Sequence, residues 1–501
     1  MGSEVAHAHQ HHPVRLNPTF APHNAWMARG APHAATAVCL ALLEIPQLGG
    51  AAQPPIYVFE HVSVIAMDAP NLLAEQNVYV AGDTITSIRA SANDVIPDDA
   101  RRIEGRGRYL MPGLADMHAH IAFGFDKEGV ITNADEPLAE SQARDELLLF
   151  VINGVTTVRN MSGTPLHLRL ARQLELGELI GPHLAVTSPI IDGEPPSWPS
   201  NVVVTDPQRA RELVRRYKVE GYRSIKVYHN LTLPVYDALI DEARTQGIPL
   251  VGHVPFRVGL PHVLESGQVS IEHLRGYDLD PHAPPPATLV ERFSGFLHVS
   301  RELEDEYVRK TVAVGAWNCP TLALQVDGAV PEPARRALVD RPEMQLLPPH
   351  LRQRMIDDRF YVSMPPEVLE AIRQSIPNEM RLLHELWTHG ANLMAGTDSP
   401  LLMSIPGYSL HRELEVMHQA GVDNFAVVRS ATAESARFLN ERRGTIAPGK
   451  QADLLLLDQD PLTDIRHTRA IRGVMLNGRW LDRAALDALT RELRERNRVV
   501  H

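Results

Sequence analysis

The chain has 501 residues and a formal net charge of −12; 44% of its residues are apolar and 22% are charged. This composition is typical of a globular protein, and the acidic balance without a basic block argues against a nucleic-acid-binding protein. Two cysteines, Cys39 and Cys319, exclude a disulfide framework and a cysteine-based zinc site. No apolar run is long enough to predict a membrane-spanning helix.

Residues 1–53 show no hydrophobic period and are predicted to be a leader. Met27 and Arg29 precede the apolar run AATAVCLALL, and the small residues Gly50 and Ala52 follow it, which is the layout of a secretory signal. A signal peptide here predicts a periplasmic or secreted protein. The alternative is an unstructured extension of a cytoplasmic protein, in which the cluster AHAHQHH binds metal only weakly.

Short alternating segments predict strands at both ends of the remaining chain. They are IYVFEHVSVIAM, NVYVAGDTITSIRA and ARRIEGRGRYLMPG before the middle, and GTIAPGKQADLLLLDQDP and IRGVMLNGRWLD after residue 443. Residues 54–112 and 443–501 are therefore predicted to form one small composite β-sandwich domain.

The middle of the chain, 113–442, alternates strand and helix. Its strand candidates are LADMHAHI, GVTTVRNM, HLAVTSPII, SIKVYH, PLVGHV, VSIEHL, GAWNCPTLAL and ANLMAGTDS. Eight such strands with helical crossovers predict an α/β fold of the (β/α)8 TIM-barrel type. The seventh connection, about 325–389, is unusually long, and we expect it to be partly helical and to cover the mouth of the active site.

Six polar side chains lie at or near the predicted carboxyl ends of these strands, where barrel enzymes hold their active sites. They are His118, His120, Lys226, His253, His273 and Asp398. Each alone is more often a structural residue, but six such groups are costly to bury without a common partner. Divalent metal ions are such a partner, and these ligands suit zinc, with manganese, iron or cobalt as substitutes.

Lys226 does not fit this site as an ammonium group, because its charge repels a dication. A desolvated lysine loses its proton and reacts with carbon dioxide to give a carbamate, which is an anionic ligand with two oxygens. We therefore expect a carbamate on Lys226 that bridges two metal ions, with a metal-bridging hydroxide as the nucleophile.

The segments MPGLADMHAH, SIKVY, GHVP, IEH and AGTDSP occur in an order that resembles the amidohydrolase superfamily. The stretch PGYSLHRELEVMHQAGVDNFAVVRSATAESARFLN is similar to its imidazolonepropionase-like and prolidase-like branch, of which ochratoxin-type amidohydrolases are relatives. The resemblance covers about 56–482. One departure is Asn160, where the family commonly has aspartate, so an anionic partner of the ligands is missing there.

The resemblance implies a binuclear metal site. In it, the first metal is held by His118 and His120, the second by His253 and His273, the bridge is carboxylated Lys226, and Asp398 contacts the first metal and shuttles a proton. The resemblance also implies a homo-oligomer, with an octamer as one arrangement.

The expected reaction is hydrolysis of the amide bond of a small-molecule substrate, an N-acyl amino acid or dipeptide, with ochratoxin-type amides included. Tyr228 shares the inward face with Lys226 and is expected to stabilise the oxyanion or to hold a substrate carboxylate. The candidates for binding the substrate carboxylate are Tyr228, His229, Arg257 and Arg275. Trp198 is a candidate for packing against an aromatic acyl group.

Two other functions remain open from the sequence. A cyclic-amide hydrolase of the imidazolonepropionase type is the alternative enzyme, but Lys226 argues against it. A non-catalytic barrel scaffold is the alternative of another class, but such a protein is expected to lose metal ligands, and all six candidates are present here.

Overall fold

The computed structural model describes residues 55–123, 136–331, 334–357 and 364–498. The predicted leader, 1–53, with its signal-like segment and histidine cluster, lies outside the described residues. Among the helices that are described, none has the length and apolar character needed to cross a membrane.

The strands alternate with helices through the middle of the described chain. The strands are β1 Ile56–Ile65, β2 Leu72–Ala81, β3 Thr84–Ala90, β4 Arg101–Glu104, β5 Tyr109–Pro112, β6 Leu114–Ala119, β7 Val155–Asn160, β8 His183–Val186, β9 Ile191–Asp192, β10 Val202–Val203, β11 Ile225–Val227, β12 Leu250–Gly252, β13 Ser270–Glu272, β14 Trp317–Cys319, β15 Asn392–Leu393, β16 Leu454–Leu457, β17 Ile471–Leu476 and β18 Arg479–Asp482. The α-helices are Glu136–Ile152, Pro165–Glu175, Pro207–Glu220, Leu233–Gln246, Leu260–Ser266, Leu289–Ser294, Arg301–Val314, Leu322–Gly328, Ala334–Val339, Pro349–Asp357, Pro366–Thr388, Tyr408–Gln419, Asn424–Ser430, Ala433–Leu439 and Arg483–Arg496.

One eight-stranded sheet combines strands from both ends of the described chain. Its order is β18-β17-β16-β5-β1-β2-β3, and β4 pairs with β1. Strand β16 runs antiparallel to β5, with Leu454 opposite Pro112 and Leu457 opposite Tyr109. Buried apolar side chains from β1, β2, β5, β16 and β17 form one cluster on this sheet. The two β-rich ends therefore pair with each other, while the two-layer sandwich stays a prediction.

The middle of the chain forms two parallel sheets, β6-β7-β8 and β10-β9-β11-β12-β13-β14-β15. Each of the eight predicted strand segments contains a strand, and the short strands β9 and β10 extend the second sheet. All six residues of β6 are buried, as expected for a parallel strand covered on both faces. The chain thus has an α/β fold built on parallel sheets.

Helix ends in this region follow local sequence signals. The helix Pro207–Glu220 begins after Asp206, whose carboxylate accepts hydrogen bonds from the backbone N–H groups of Gln208 and Arg209. It ends at Gly221, which has a φ of 97° and supplies the left-handed turn that terminates the helix. These signals return the chain to β11, the strand that carries Lys226.

The long connection at 325–389 contains helices in its described part, as predicted. Two residues of the helix Pro349–Asp357 make contacts on this side of the fold. Arg354 donates a hydrogen bond to the carbonyl of Phe123, which follows β6, and His350 lies 2.8 Å from Oε1 of Gln142 in the helix Glu136–Ile152. This connection therefore contacts the residues next to the predicted site.

The helix Arg483–Arg496 was not predicted from the sequence. Asp482 caps it by accepting a hydrogen bond from the backbone N–H of Ala485. At its end Arg496 pairs with Asp145, and the side chain of Asn497 donates to Asp145 Oδ2 at 3.0 Å. The end of the described chain therefore packs on the helix Glu136–Ile152 of the α/β region.

Candidate metal centre

All seven residues predicted for the site line one small cavity. They are His118, His120, Lys226, Tyr228, His253, His273 and Asp398. Each of them is buried. The carboxyl ends of the parallel strands therefore bring these side chains together.

The carboxylate of Asp398 lies among three histidines. Its Oδ1 is 2.9 Å from Nε2 of His120 and 3.4 Å from Nε2 of His118, and its Oδ2 is 3.9 Å from Nε2 of His273. Asp398 has a φ of 57°, a left-handed conformation that non-glycine residues rarely adopt. Its backbone N–H donates to the carbonyl of His118 at 2.6 Å, so this turn is tied to β6.

His118 is fixed from behind by a buried carboxylate. Its Nδ1 lies 2.8 Å from Oε2 of Glu272, whose two oxygens also accept hydrogen bonds from Nη2 of Arg159 at 2.8 and 2.9 Å. The Oγ of Ser270 donates to the same carboxylate at 2.6 Å. Because Glu272 accepts from Nδ1–H, the lone pair of His118 is on Nε2, which faces Asp398.

The other two candidate histidines are also held through Nδ1. Nδ1 of His253 is 2.7 Å from Nε2 of His229, and Nδ1 of His273 is 2.6 Å from Oγ1 of Thr321. In both rings Nε2 is the nitrogen that remains for a ligand in the cavity. Burial lowers the pKa of His253 and His273 well below 6.5, so both imidazoles are neutral, as metal ligands must be.

Lys226 is 1% exposed, and its Nζ has no hydrogen-bond partner among the described residues. Burial lowers the pKa of this amine to about 8. Nδ1 of His120 is likewise buried without a partner in the described part of the chain. The buried lysine amine, the neutral imidazoles and the carboxylate together form a set of donors. Conversion of the lysine to a carbamate and binding of divalent ions would satisfy this set.

Tyr228 and Trp198 are joined on one wall of the cavity. Nε1 of Trp198 donates a hydrogen bond to the Tyr228 hydroxyl oxygen at 2.9 Å. Burial raises the pKa of Tyr228 to about 12, so the hydroxyl keeps its proton. Because the indole N–H can only donate, the Tyr228 O–H is left to donate elsewhere.

The structure does not bring the candidate arginines to the cavity. Arg275 is buried in an ion pair with Asp278 at 2.9 Å, and Arg257 is exposed; neither lines the cavity. His229 is engaged by His253 and by Nη2 of Arg292, which lies 3.1 Å from its Nε2. Among the proposed substrate contacts, Tyr228 and Trp198 are therefore the two that reach the site.

Asn160 has a structural role next to the ligands. Its Oδ1 accepts a hydrogen bond from the backbone N–H of Ile121 at 2.8 Å, and its Nδ2 donates to the carbonyl of Ser162 at 3.1 Å. It therefore fixes the chain that follows His120. The anionic partner behind His118 is Glu272 instead, which the sequence did not lead us to predict. A signal for it was a carboxylate directly before a strand-end histidine.

A second missed group holds the segment after His120. Phe123 packs on the His120 ring with centroids 4.9 Å apart and lines the cavity. The buried carboxylate of Glu146 accepts from the backbone N–H of Ala122 at 2.6 Å. These contacts position one aromatic wall of the site.

Comparison with known proteins identifies the family to which this chain belongs. The profile of the Amidohydrolase family matches residues 109–481. A curated 5-methylthioadenosine/S-adenosylhomocysteine deaminase from Caldanaerobacter subterraneus is 38% identical over 64 residues, which cover 13% of this chain and 14% of that protein.

Solved structures share the fold over most of the chain. A bottromycin amidohydrolase matches with a TM-score of 0.68 and 24% identity, covering 89% of this chain and 91% of its own. A Xaa-Pro dipeptidase with bound methionine matches with a TM-score of 0.65 and 18% identity (85% and 100% covered). The ochratoxinase of A. niger matches with a TM-score of 0.63 and 15% identity (86% and 96% covered).

The family match spans most of the chain and includes every candidate ligand. The chain therefore belongs to the amidohydrolase family and is a hydrolase of carbon–nitrogen bonds.

Proposed function

We propose that this protein is a metal-dependent amidohydrolase that cleaves the amide bond of N-acyl amino acids or dipeptides. The observation that carries the proposal is the buried Nζ of Lys226, which has no hydrogen-bond partner within the described ranges and lies in a cavity with four histidines and Asp398. Buried polar groups without partners are rare unless a ligand satisfies them.

The proposal includes a closed architecture for 113–442. We propose that the two parallel sheets are arcs of one (β/α)8 barrel, with 54–112 and 443–501 as the composite β domain. Two backbone hydrogen bonds support it: Ser188 N–H to the carbonyl of Ser224 at 2.8 Å, and Met117 N–H to the carbonyl of Ala395 at 2.9 Å. They connect β8 with β11 and β6 with β15, at both junctions between the sheets.

The donor set fits two divalent ions. His118 and His120 with Asp398 would hold one ion, His253 and His273 the other, and carboxylated Lys226 would bridge them. When bound, such ions, most suitably Zn²⁺, polarise a carbonyl and lower the pKa of water. The three ligand atoms of His118, His273 and Asp398 already lie within 4.8 Å of one another.

The residues of this chain would move the proton and orient the amide. Hydrolysis adds water across the C–N bond, so one proton must pass from water to the departing nitrogen. Asp398 would accept that proton and return it, because its carboxylate lies beside the histidine nitrogens that would hold the metal ion. Tyr228 would donate its O–H to the substrate carbonyl or carboxylate.

The walls of the cavity favour an amide with an aromatic or bulky apolar group. Phe123, Ile190, Trp198 and Leu401 line it beside the polar residues. The solved structures that share this fold include an amidohydrolase of bottromycin and a Xaa-Pro dipeptidase, whose names agree with an amide or peptide substrate. The homo-oligomer and the cellular location stay predictions.

The experiment measures metal content and turnover together. Protein reconstituted with Zn²⁺ should contain close to two ions per chain and hydrolyse N-benzoyl-L-phenylalanine, and removal of the ions should abolish turnover. The methyl amide of that substrate should react markedly more slowly, because it lacks the carboxylate. Full activity without bound metal contradicts the metal site, and equal rates for acid and methyl amide favour the cyclic-amide alternative. Two bound ions without any turnover favour the scaffold.

A further inference from the structure

The loop at 193–201 forms a wall of the cavity, and of its residues only Trp198 enters the proposed function. Trp198, Ser200 and Asn201 line the cavity. The loop begins tightly packed, because a Cβ on Gly193 would lie 1.9 Å from the carbonyl oxygen of Asn230. Close backbone contact therefore fixes the start of the loop.

The buried carboxylate of Asp192 anchors this loop. Its Oδ1 accepts from the backbone N–H groups of Gly193 at 2.9 Å and Asn230 at 2.8 Å. Its Oδ2 accepts from the backbone N–H of Ser197 at 2.7 Å and from Nδ2 of Asn201 at 3.0 Å. Four donors thus converge on one acceptor-only group.

This anchor fixes the orientation of the Asn201 amide. An ionised carboxylate accepts hydrogen bonds and cannot donate one, so the NH₂ group of Asn201 must face Asp192. The carbonyl oxygen Oδ1 must then point away from Asp192. It is buried on a side chain that is 7% exposed, and it has no hydrogen-bond partner in the described ranges.

We propose that Asn201 is a specificity-determining residue whose Oδ1 accepts a hydrogen bond from an N–H group of the substrate. This role of Asn201 rests on the proposed function, which supplies a substrate with an amide. A buried acceptor without a donor is unfavourable, and a ligand N–H removes that penalty. Tyr228, which lines the same cavity, is a donor, so the two residues offer opposite hydrogen-bonding groups.

This assignment predicts selection for substrates with an N–H over analogues of the same shape without one. Two substrate groups supply such a donor: the N–H of the scissile amide and the ammonium group of a dipeptide. An ester analogue lacks the first, and a des-amino acyl group lacks the second.

The experiment compares wild type and Asn201→Ala on four probes. These are N-benzoyl-L-phenylalanine, its ester analogue O-benzoyl-L-phenyllactate, L-phenylalanyl-L-phenylalanine and 3-phenylpropanoyl-L-phenylalanine. If the scissile N–H is the donor, kcat/KM falls about 10-fold for the three amides and less than about 3-fold for the ester. If the ammonium is the donor, the fall is confined to the dipeptide. Calorimetric binding of the same probes to Zn²⁺-loaded protein should show the same pattern.

Asn230→Ala is the matched control. Its Nδ2 donates to the carbonyl of Pro195 at 2.7 Å and to Oγ of Ser197 at 3.2 Å, so it anchors the same loop without lining the cavity. We expect this variant to change all four probes equally. Should Asn201→Ala not fold, Asn201→Ser keeps a hydroxyl donor for Asp192 and replaces it in the comparison.

The outcomes separate the two proposals. Equal losses on all four probes, no loss on any, or the same pattern in Asn230→Ala overturn the assignment of Asn201. Binding of the probes by wild type without turnover overturns the proposed function alone, and no binding of any probe overturns both.

Discussion

Replacing Glu272 by glutamine tests the support behind His118. Glu272 is fully buried between the His118 ring and the guanidinium of Arg159, which is 1% exposed. Glu272→Gln removes the charge that compensates Arg159 and places an NH₂ group within reach of Nδ1 of His118. With the NH₂ group turned to His118, Nδ1 must accept, the proton moves to Nε2 and the lone pair that faces the cavity is lost. With the amide oxygen turned to His118, a neutral acceptor replaces the carboxylate, and Nε2 becomes a weaker donor to a metal ion.

Glu272→Gln should lower both the thermal stability of the protein and its affinity for metal. Breaking a buried ion pair from one side costs about 3–5 kcal/mol. With ~2.1 cal/mol/K per residue over about 440 residues, the unfolding entropy is ~0.9 kcal/mol/K, so the Tm should fall by about 3–5 °C. Loss of the oriented His118 lone pair should weaken metal binding about 10- to 100-fold.

The double variant separates stability from metal binding. Arg159→Met in the Glu272→Gln background removes the unpaired guanidinium, so the Tm should recover in large part, whereas the weakened Zn²⁺ affinity should persist. Thermal unfolding and competition with a metal chelator measure the two quantities. Unchanged Zn²⁺ affinity in Glu272→Gln would refute the assignment of His118 as a ligand through Nε2.

Three further predictions concern the site and the core. Lys226→Ala should lose most activity and about one metal ion per chain, with partial rescue by formate or acetate, whereas Lys226→Arg should not be rescued; retained activity and metal in Lys226→Ala would exclude the bridge. Trp198→Phe should lower kcat/KM several-fold in wild type and much less in a Tyr228→Phe background, and equal losses in both backgrounds would mean that Trp198 does not act through Tyr228. Burial lowers the pKa of His411 to about 3, so its contribution to stability is present above the unfolded value of about 6.5 and is lost as the pH falls. Between pH 6.5 and 5 this loss is about 2 kcal/mol in the free energy of unfolding. In His411→Gln, the free energy of unfolding measured with urea should therefore change by about 2 kcal/mol less over this pH range than in the wild type. An unchanged pH dependence would contradict a neutral buried imidazole.

The candidate ligands could be predicted to lie together because their positions follow from local rules. His118 and His120 are two residues apart on one strand, so they face the same way, and the ends of parallel strands meet at one edge. The eight strand segments were likewise found from apolar runs bounded by turn residues. The family match supports the same reading of the chain.

The surroundings of the ligands depend on long-range register, which a single sequence does not contain. Glu272 and His118 are 154 residues apart in the sequence, and their hydrogen bond forms only when β6 and β13 are both in the folded structure. Arg275 was a reasonable partner for a substrate carboxylate until Asp278, three residues later, was found to engage it. Asn201 gave no pattern at all, because its role follows from the carboxylate of Asp192.

The C-terminal helix was missed although its signals are present. Asp482 is a typical N-cap, and RAALDALTRELRER has an apolar residue every three or four positions. Two strands of the composite sheet directly precede this segment, and their alternating pattern favoured a β domain up to the end of the region.

The central place of β16 in the composite sheet has a consequence for biosynthesis. Strand β5 ends at Pro112 and its neighbour β16 begins at Leu454, so a ribosome must add about 340 residues before the two can pair. At about 5–20 residues per second, that interval lasts roughly 17–70 s. Throughout it, one side of β5 presents unpaired backbone N–H and C=O groups, which can pair with another nascent chain. Yield of folded protein should therefore depend on translation speed and on chaperones that shield this edge until the last strands are made.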